Sequence, residues 1–223
     1  MNEQRAVIIG ASGLVGTHLT EQLLKDDDFI SISILVRKKT GYIHKKLQEE
    51  IVNFDDLNDL LNKFGKGDTI FSCIGTTQKT VQGNKELYEK IDHDIPVNVA
   101  RIGLQKSFRQ FLMVSSVGAN EKASNFYLRL KGKTESSVKH FAFESISFFR
   151  PSMLLGNRKE LRPFESALQG SMKFLSGFLF GSLKKYHSIN AKDVAKSMIT
   201  QSKLNKPGGH ILEYKEMMEL IRN

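Results

Sequence analysis

A single cysteine, Cys73, and no tryptophan occur among the 223 residues. One thiol cannot close an internal disulfide or supply a multi-cysteine metal site, and it suits a reducing compartment. The six histidines form no His-x-x-x-His pair around a glutamate, and a second cysteine to complete a ligand set is missing. No metal is expected. Long apolar runs are absent too. The nearest, residues 172–180, is broken by Lys173 and Gly177 and falls well short of the about 20 residues that cross a bilayer. The amino-terminal residues lack a signal-peptide layout. These absences together lead to the expectation of a soluble cytoplasmic protein without a transmembrane segment. With only four prolines and no Pro/Gly/Ser-rich linker, repeat or low-complexity tract, one domain over 1–223 is expected.

Positive charge is abundant. Lys and Arg number 33 against 24 Asp and Glu, a formal charge of +9. Such an excess can serve nucleic acid or an anionic surface. Here, however, the lysines fall in scattered pairs (Lys38-Lys39, Lys45-Lys46, Lys184-Lys185), with no aromatic-interleaved RNA-binding pattern and no helix-turn-helix. That distribution argues against a nucleic-acid partner and for a field that draws in phosphorylated small molecules.

The most informative stretch is Val7-Ile8-Ile9-Gly10-Ala11-Ser12-Gly13-Leu14-Val15-Gly16. An apolar run meets glycines spaced Gly-x-x-Gly-x-x-Gly, and an amphipathic segment follows at once. Strand, tight turn and helix in that order form a cradle for a dinucleotide. The glycines let backbone approach a pyrophosphate, and the helix start offers unpaired N–H groups and the positive end of its dipole. Further along, strand patterns at 6–9, 30–36, 50–54, 69–73, 110–115 and 145–150 alternate with helical patterns at 13–25, 57–63, 85–106 and 125–143. This rhythm predicts an α/β protein with a parallel sheet covered by helices on both faces. After Pro151 the rhythm loosens into a loop at 156–162, a partly helical apolar segment at 163–183, a helix at 191–201, a strand at 210–214 and a short terminal helix at 215–221. Residues 151–223 are expected to form a partial substrate-side cover.

The end of the second strand reads Val36-Arg37-Lys38-Lys39, with no acidic residue from Phe29 through Gln48. NAD sites place a carboxylate there for the ribose 2′-hydroxyl; a guanidinium instead suits a 2′-phosphate. Arg37, helped by Lys38, therefore favours NADP(H) over NAD(H). Ser115-Ser116 ends the fifth strand, and Tyr127 and Lys131 follow four residues apart on one helix face. A phenol, with a reference pKa of about 10, needs a neighbouring ammonium to give up its proton near neutrality. Lys131 can provide that charge and also hold ribose hydroxyls, while Ser116 can hydrogen-bond a substrate oxygen; the sequence leaves open which of the two serines faces the substrate. Tyr42 and Lys46 share the same spacing but lie far from any serine-ended strand, and they read as coincidence. Gly132-Lys133-Thr134 mimics the end of a phosphate loop, but Tyr127 stands where that loop needs its first glycine. Cys73, at a strand end, reads as an apolar packing residue rather than a thiolate nucleophile.

Glycine turn, Arg37, Cys73-Ile74-Gly75-Thr76-Thr77, Ser116…Tyr127-x-x-x-Lys131 and Phe149-Arg150-Pro151-Ser152-Met153 occur in one order along essentially the whole chain. In this the chain resembles the atypical short-chain dehydrogenases/reductases, and within them the Tat-interactive-protein-like oxidoreductases, near the NmrA-like and epimerase-like groups. The resemblance implies a Rossmann-type doubly wound parallel sheet in three α/β/α layers, NADP(H) binding, and a Ser-Tyr-Lys set. It implies that Gly10, Gly13 and Gly16 form the phosphate turn, with Ser12 as a donor and Leu14 and Val15 beside it. Asp55 would then lie near the adenine, Cys73, Ile74 and Gly75 beside the ribose, and Pro151 and Met153 beside the nicotinamide. Lys192-Asp193-Val194-Ala195 resembles a helix start of the extended members and reads as structural. The chain is far shorter at its carboxyl end than sugar epimerases. Three functions stay open: hydride transfer with a small carbonyl or alcohol, a cofactor-sensing protein with a macromolecular partner, and, with least support, nucleotide-sugar epimerisation. Homo-oligomerisation is left open as well.

Overall fold

The computed structural model describes residues 3–156 and 186–222. The segment expected at 157–183, including the apolar stretch 172–180, lies outside the described residues, as does the pair Lys184-Lys185. Strands β1 (Gln4–Ile9), β2 (Phe29–Val36), β3 (Leu47–Ile51), β4 (Thr69–Ser72), β5 (Gln110–Val114) and β6 (Ser145–Phe149) alternate with helices, except that β2 is followed directly by β3. The helices are α1 (Leu14–Lys25), α2 (Leu57–Lys63), α3 (Lys85–Glu89), α4 (Ile95–Gln105) and α5 (Phe126–Lys139). Past the fifth helix come β7 (Leu154–Leu155), β8 (Ile189–Asn190), α6 (Ala191–Lys203), β9 (Gly208–Leu212) and α7 (Tyr214–Arg222).

Seven strands form one parallel sheet in the order β3-β2-β1-β4-β5-β6-β9, and β7 and β8 pair separately. From β1 the chain steps outward to β2 and β3, then returns to place β4 on the other side of β1. The carboxyl ends of β1 and β4 therefore flank the point where the winding reverses, which is where open α/β sheets bind ligands. The expected doubly wound Rossmann-type architecture is what the chain forms.

Continuous apolar runs become strands because each is covered twice. Along β1, Ala6 and Ile8 enter a core with Val15, Leu19 and Leu23 of α1 and Val194, Ala195 and Met198 of α6. Val7 and Ile9, pointing the other way, pack with Leu60 of α2, Val99 and Ile102 of α4 and Val138 of α5. A period of two thus splits one hydrophobic run between two helical layers. Residues 186–222 complete this frame: α6 fills the first face and β9 extends the edge beyond β6.

Three elements differ from their expected positions; the last strand, Gly208–Leu212, lies two residues earlier than 210–214. The third strand pairs Ile32 with Leu47 and Val36 with Ile51, so it lies earlier than 50–54. It is an edge strand bearing Gln48, Glu49 and Glu50, whereas the apolar Val52 and Phe54 that suggested a strand enter the second core after it ends. The helix expected over 85–106 is interrupted by a π-helical turn at Lys90–Asp94. Pro96 has no N–H to offer the Asp92 carbonyl one turn earlier, and that oxygen instead lies 3.0 Å from the Thr134 hydroxyl on α5.

Candidate cofactor and active site

The first strand delivers the glycine turn. Gly10 has φ of +78°, and a Cβ there would stand 2.5 Å from the Cys73 carbonyl carbon, so the turn is pressed against the end of β4. A Cβ on Gly16 would meet the Gly10 carbonyl oxygen at 2.1 Å, which brings α1 hard onto the same turn. Gly13 caps α1 with no side chain, and no acidic residue occupies the first helical turn. The opening N–H groups of α1 therefore face the crevice with neither a side-chain cap nor a carboxylate competing for them, an arrangement that fits a pyrophosphate. Ser12 is exposed on the turn.

On the β2 side of the turn is a groove lined by Arg37, Asn53, Phe54, Asp55, Lys90 and Ile91, among others. Arg37 is exposed and among the described residues has no ionic partner. Lys38 is also exposed but does not line the groove. Asp55 pairs with Lys90 of the π-helical turn at 2.9 Å.

Across the switch point, at the ends of β4, β5 and β6, a small cavity is lined by Leu14, Val15, Cys73, Ile74, Ser115, Ser116, Tyr127, Lys131, Pro151 and Ser152, with Val114 and Leu154. Asn125 starts α5 by accepting the Leu128 N–H at 3.1 Å, and the helix then presents Tyr127 and Lys131 together. The Lys131 ammonium lies 6.0 Å from the Tyr127 ring centre. It is buried, 3.0 Å from Oδ1 of Asp92, which is wholly buried. That approach is an ion pair by distance but off the line of a hydrogen bond, and Oδ1 accepts none. The other oxygen, Oδ2, accepts the Thr76 N–H at 2.7 Å.

The two serines have different partners. Ser115 donates to Glu135 Oε1 at 2.5 Å, and Arg150 grips the same carboxylate through Nε at 2.9 Å and Nη2 at 2.5 Å. The Glu135 hydrogen bond raises the Arg150 pKa further above its ordinary value, against the effect of partial burial. Among the described residues the Ser116 hydroxyl bonds only the neighbouring Val117 carbonyl, at 3.3 Å, which leaves it the more available of the two. Burial pushes the Cys73 thiol up to about 12, so the sulfur is a neutral, packed group at ordinary pH.

Gly75 is exposed in the loop after β4, and Met153 is buried; neither lines the cavity. Tyr42 packs beside the first core and Lys46 reaches the Asp26 carbonyl at 2.9 Å, so that Tyr–Lys pair belongs to no site. Asp193 lies in the first turn of α6, as a structural helix start would place it. Asp92, Glu135 and Lys90 were not visible as site residues. Each sits in a polar helical run where acidic and basic residues normally face water; nothing in the local spacing marks the burial of Asp92 and Glu135 or the reach of the exposed Lys90 to Asp55. Among the described residues no group of three His, Cys, Asp or Glu could hold a metal ion, and no helix is long and apolar enough to cross a membrane.

A doubly wound sheet with an uncapped helix start at its switch point, a groove on one side and a Ser-Tyr-Lys cavity on the other, defines a Rossmann dinucleotide-binding protein. The chain belongs to the NAD(P)H-binding family, whose family model matches residues 10–146. It is 28% identical over 230 residues to Protein HTATIP2 of Rattus norvegicus, covering 99% of this chain and 90% of that protein. It is 31% identical over 187 residues to the mitochondrial protein fmp52 of Aspergillus fumigatus, covering 81% and 76%. In fold it is similar to MoeE5 in complex with UDP-glucose and NAD, with a TM-score of 0.70 at 16% identity, covering 96% of this chain and 80% of that one. The kinship with Tat-interactive-protein-like, atypical short-chain dehydrogenases/reductases expected from the sequence is what these matches support. The fungal relative is named as mitochondrial, a compartment other than the cytoplasm read from composition.

Proposed function

We propose that the protein is an NADP(H)-dependent oxidoreductase that interconverts a small carbonyl compound and its alcohol, acting as one domain in the cytoplasm. The observation that carries this reading is the convergence of Ser116, Tyr127 and Lys131 with Leu14, Val15, Ile74 and Pro151 on one cavity at the switch point. The glycine turn and α1 would hold the pyrophosphate, and Asp55 and its neighbours the adenine. Arg37, with Lys38 next to it, would pair with a 2′-phosphate. When bound, the nicotinamide supplies or accepts the hydride. Tyr127 exchanges the proton with the substrate oxygen, Ser116 donates to that oxygen, and Lys131 orients the ribose and stabilises the phenolate. Pro151 and Met153 would shape the nicotinamide side, and Cys73 and Gly75 the ribose side.

Tyr127→Phe is expected to abolish turnover of a panel of aldehydes and ketones, read as NADPH absorbance, while fluorescence titration shows NADPH still bound. Turnover by that variant at the wild-type rate would overturn the mechanism. A second reading, a cofactor sensor with little turnover, draws on the ion pair that occupies the Lys131 ammonium. Tight NADPH binding with no turnover across the panel would favour it.

A further inference from the structure

We propose that Asp92 sets which redox form of the cofactor the site prefers, by cancelling the charge of Lys131; this deepens, and rests on, the cofactor reading above. Oxidised nicotinamide carries a positive ring charge that the reduced form lacks. An uncompensated ammonium in the same cavity would therefore repel NADP+ and leave NADPH unaffected, and in a dry site that repulsion is weakly screened.

Three features make Asp92 the compensating group. Its side chain is wholly buried, with Oδ1 3.0 Å from Lys131 Nζ. Oδ1 accepts no hydrogen bond, so the ammonium is its principal partner. The carboxylate is also fixed in place: Thr76 N–H holds Oδ2 at 2.7 Å and the Thr134 hydroxyl lies 3.0 Å from the Asp92 carbonyl. The phenol of Tyr88 in turn donates to the Thr76 carbonyl at 3.1 Å, which steadies that loop. The other buried acid behind the cavity, Glu135, is already matched by Arg150 and adds no net charge. Among the described residues, charge balance around Lys131 thus depends on one carboxylate, carried on the π-helical turn.

The test is the pair of dissociation constants for NADP+ and NADPH, measured by titration calorimetry on the full chain. Asp92→Asn is expected to weaken NADP+ relative to NADPH by about tenfold, the effect of one partly screened charge across a small cavity. Asp92→Glu, which keeps the charge, is expected to return the ratio towards wild type. Lys131→Met removes the other charge and is expected to move the ratio the opposite way, and it keeps the proposal testable if Asp92→Asn does not fold. A merely structural Asp92 would change both constants by the same factor, and that result overturns the proposal. A wild-type protein that binds neither form would overturn the cofactor reading as well, whereas normal binding with an unchanged ratio in the variants defeats this inference alone.

Discussion

At the scale of single residues, charge and burial divide the labour. Arg37 is exposed at the end of β2 and has no partner among the described residues, so a 2′-phosphate would meet a guanidinium with its donors available. Arg37→Ala is expected to weaken NADPH about 10-fold or more while leaving NADH nearly unchanged, in keeping with the loss of a charge-assisted pair. Equal affinity for both cofactors in the wild type, insensitive to the substitution, would remove the assignment. Cys73 carries the opposite lesson. Its thiol is pushed from 9.0 to about 12 by burial, so between those values the unfolded chain releases a proton that the folded chain retains. Fewer protons on the unfolded state means that stability falls as pH rises through that window, by at most about 1.4 kcal/mol per pH unit. Urea unfolding of the wild type and Cys73→Ala between pH 8 and 10.5 checks this; the wild type should lose stability more steeply above about pH 9.

At the scale of elements, the interrupted helix before β5 does more than connect. A regular helix over 85–106 would have run its hydrogen bonds straight past Pro96. Instead the chain widens by one residue, the Ile95 N–H bonds back to the Lys90 carbonyl, and the Asp92 carbonyl turns to α5. The Thr134 hydroxyl is shared between that carbonyl and its own helix, at 3.0 and 2.9 Å. Thr134→Val keeps the shape and removes the donor, leaving a buried carbonyl without its side-chain partner. A loss of about 1–3 kcal/mol in urea unfolding is expected, accompanied by weaker cofactor binding because the Thr134 hydroxyl helps hold Asp92, the ion partner of Lys131, in place. Unchanged stability would mean that the π-helical turn stands without α5. On the other side of the cavity, Ser115, Glu135 and Arg150 join the ends of β5 and β6 to α5. A buried carboxylate stripped of its arginine is costly, so this trio reads as the frame that holds Ser116 and Pro151 in place.

At the scale of the whole molecule, the reversal of winding between β1 and β4 brings a phosphate turn, a groove and a reactive cavity to one edge of the sheet. A cofactor spanning them would touch several strand ends at once and bind the folded chain alone. NADPH at about 100 times its dissociation constant is therefore expected to add about 2.7 kcal/mol to unfolding stability, seen as a rise in Tm of several degrees. No rise at millimolar NADPH would contradict the site.

How much of this was legible beforehand follows from which interactions are local. The βα turn, the parallel sheet and the two-sided strands were readable because glycine spacing and apolar periodicity act over neighbouring residues. The edge strand β3 was misplaced because a polar, half-covered strand owes its register to β2 and not to its own pattern. The Tyr127–Lys131 pair was readable as spacing on one helix face, and Tyr42–Lys46 showed the same spacing; only the fold separates them, since Tyr127 and Lys131 line one cavity at the switch point whereas Tyr42 packs beside the first core and Lys46 reaches the Asp26 carbonyl. Asp92, 39 positions before Lys131 and set in a charged run, could be recognised only once tertiary packing had buried it. By itself the sequence determined the order of strands and helices and the phosphate turn, because short-range sterics and hydrophobic period dictate them. Tertiary structure alone decided which charges meet without water, because burial is a property of the assembled layers and no residue carries it alone.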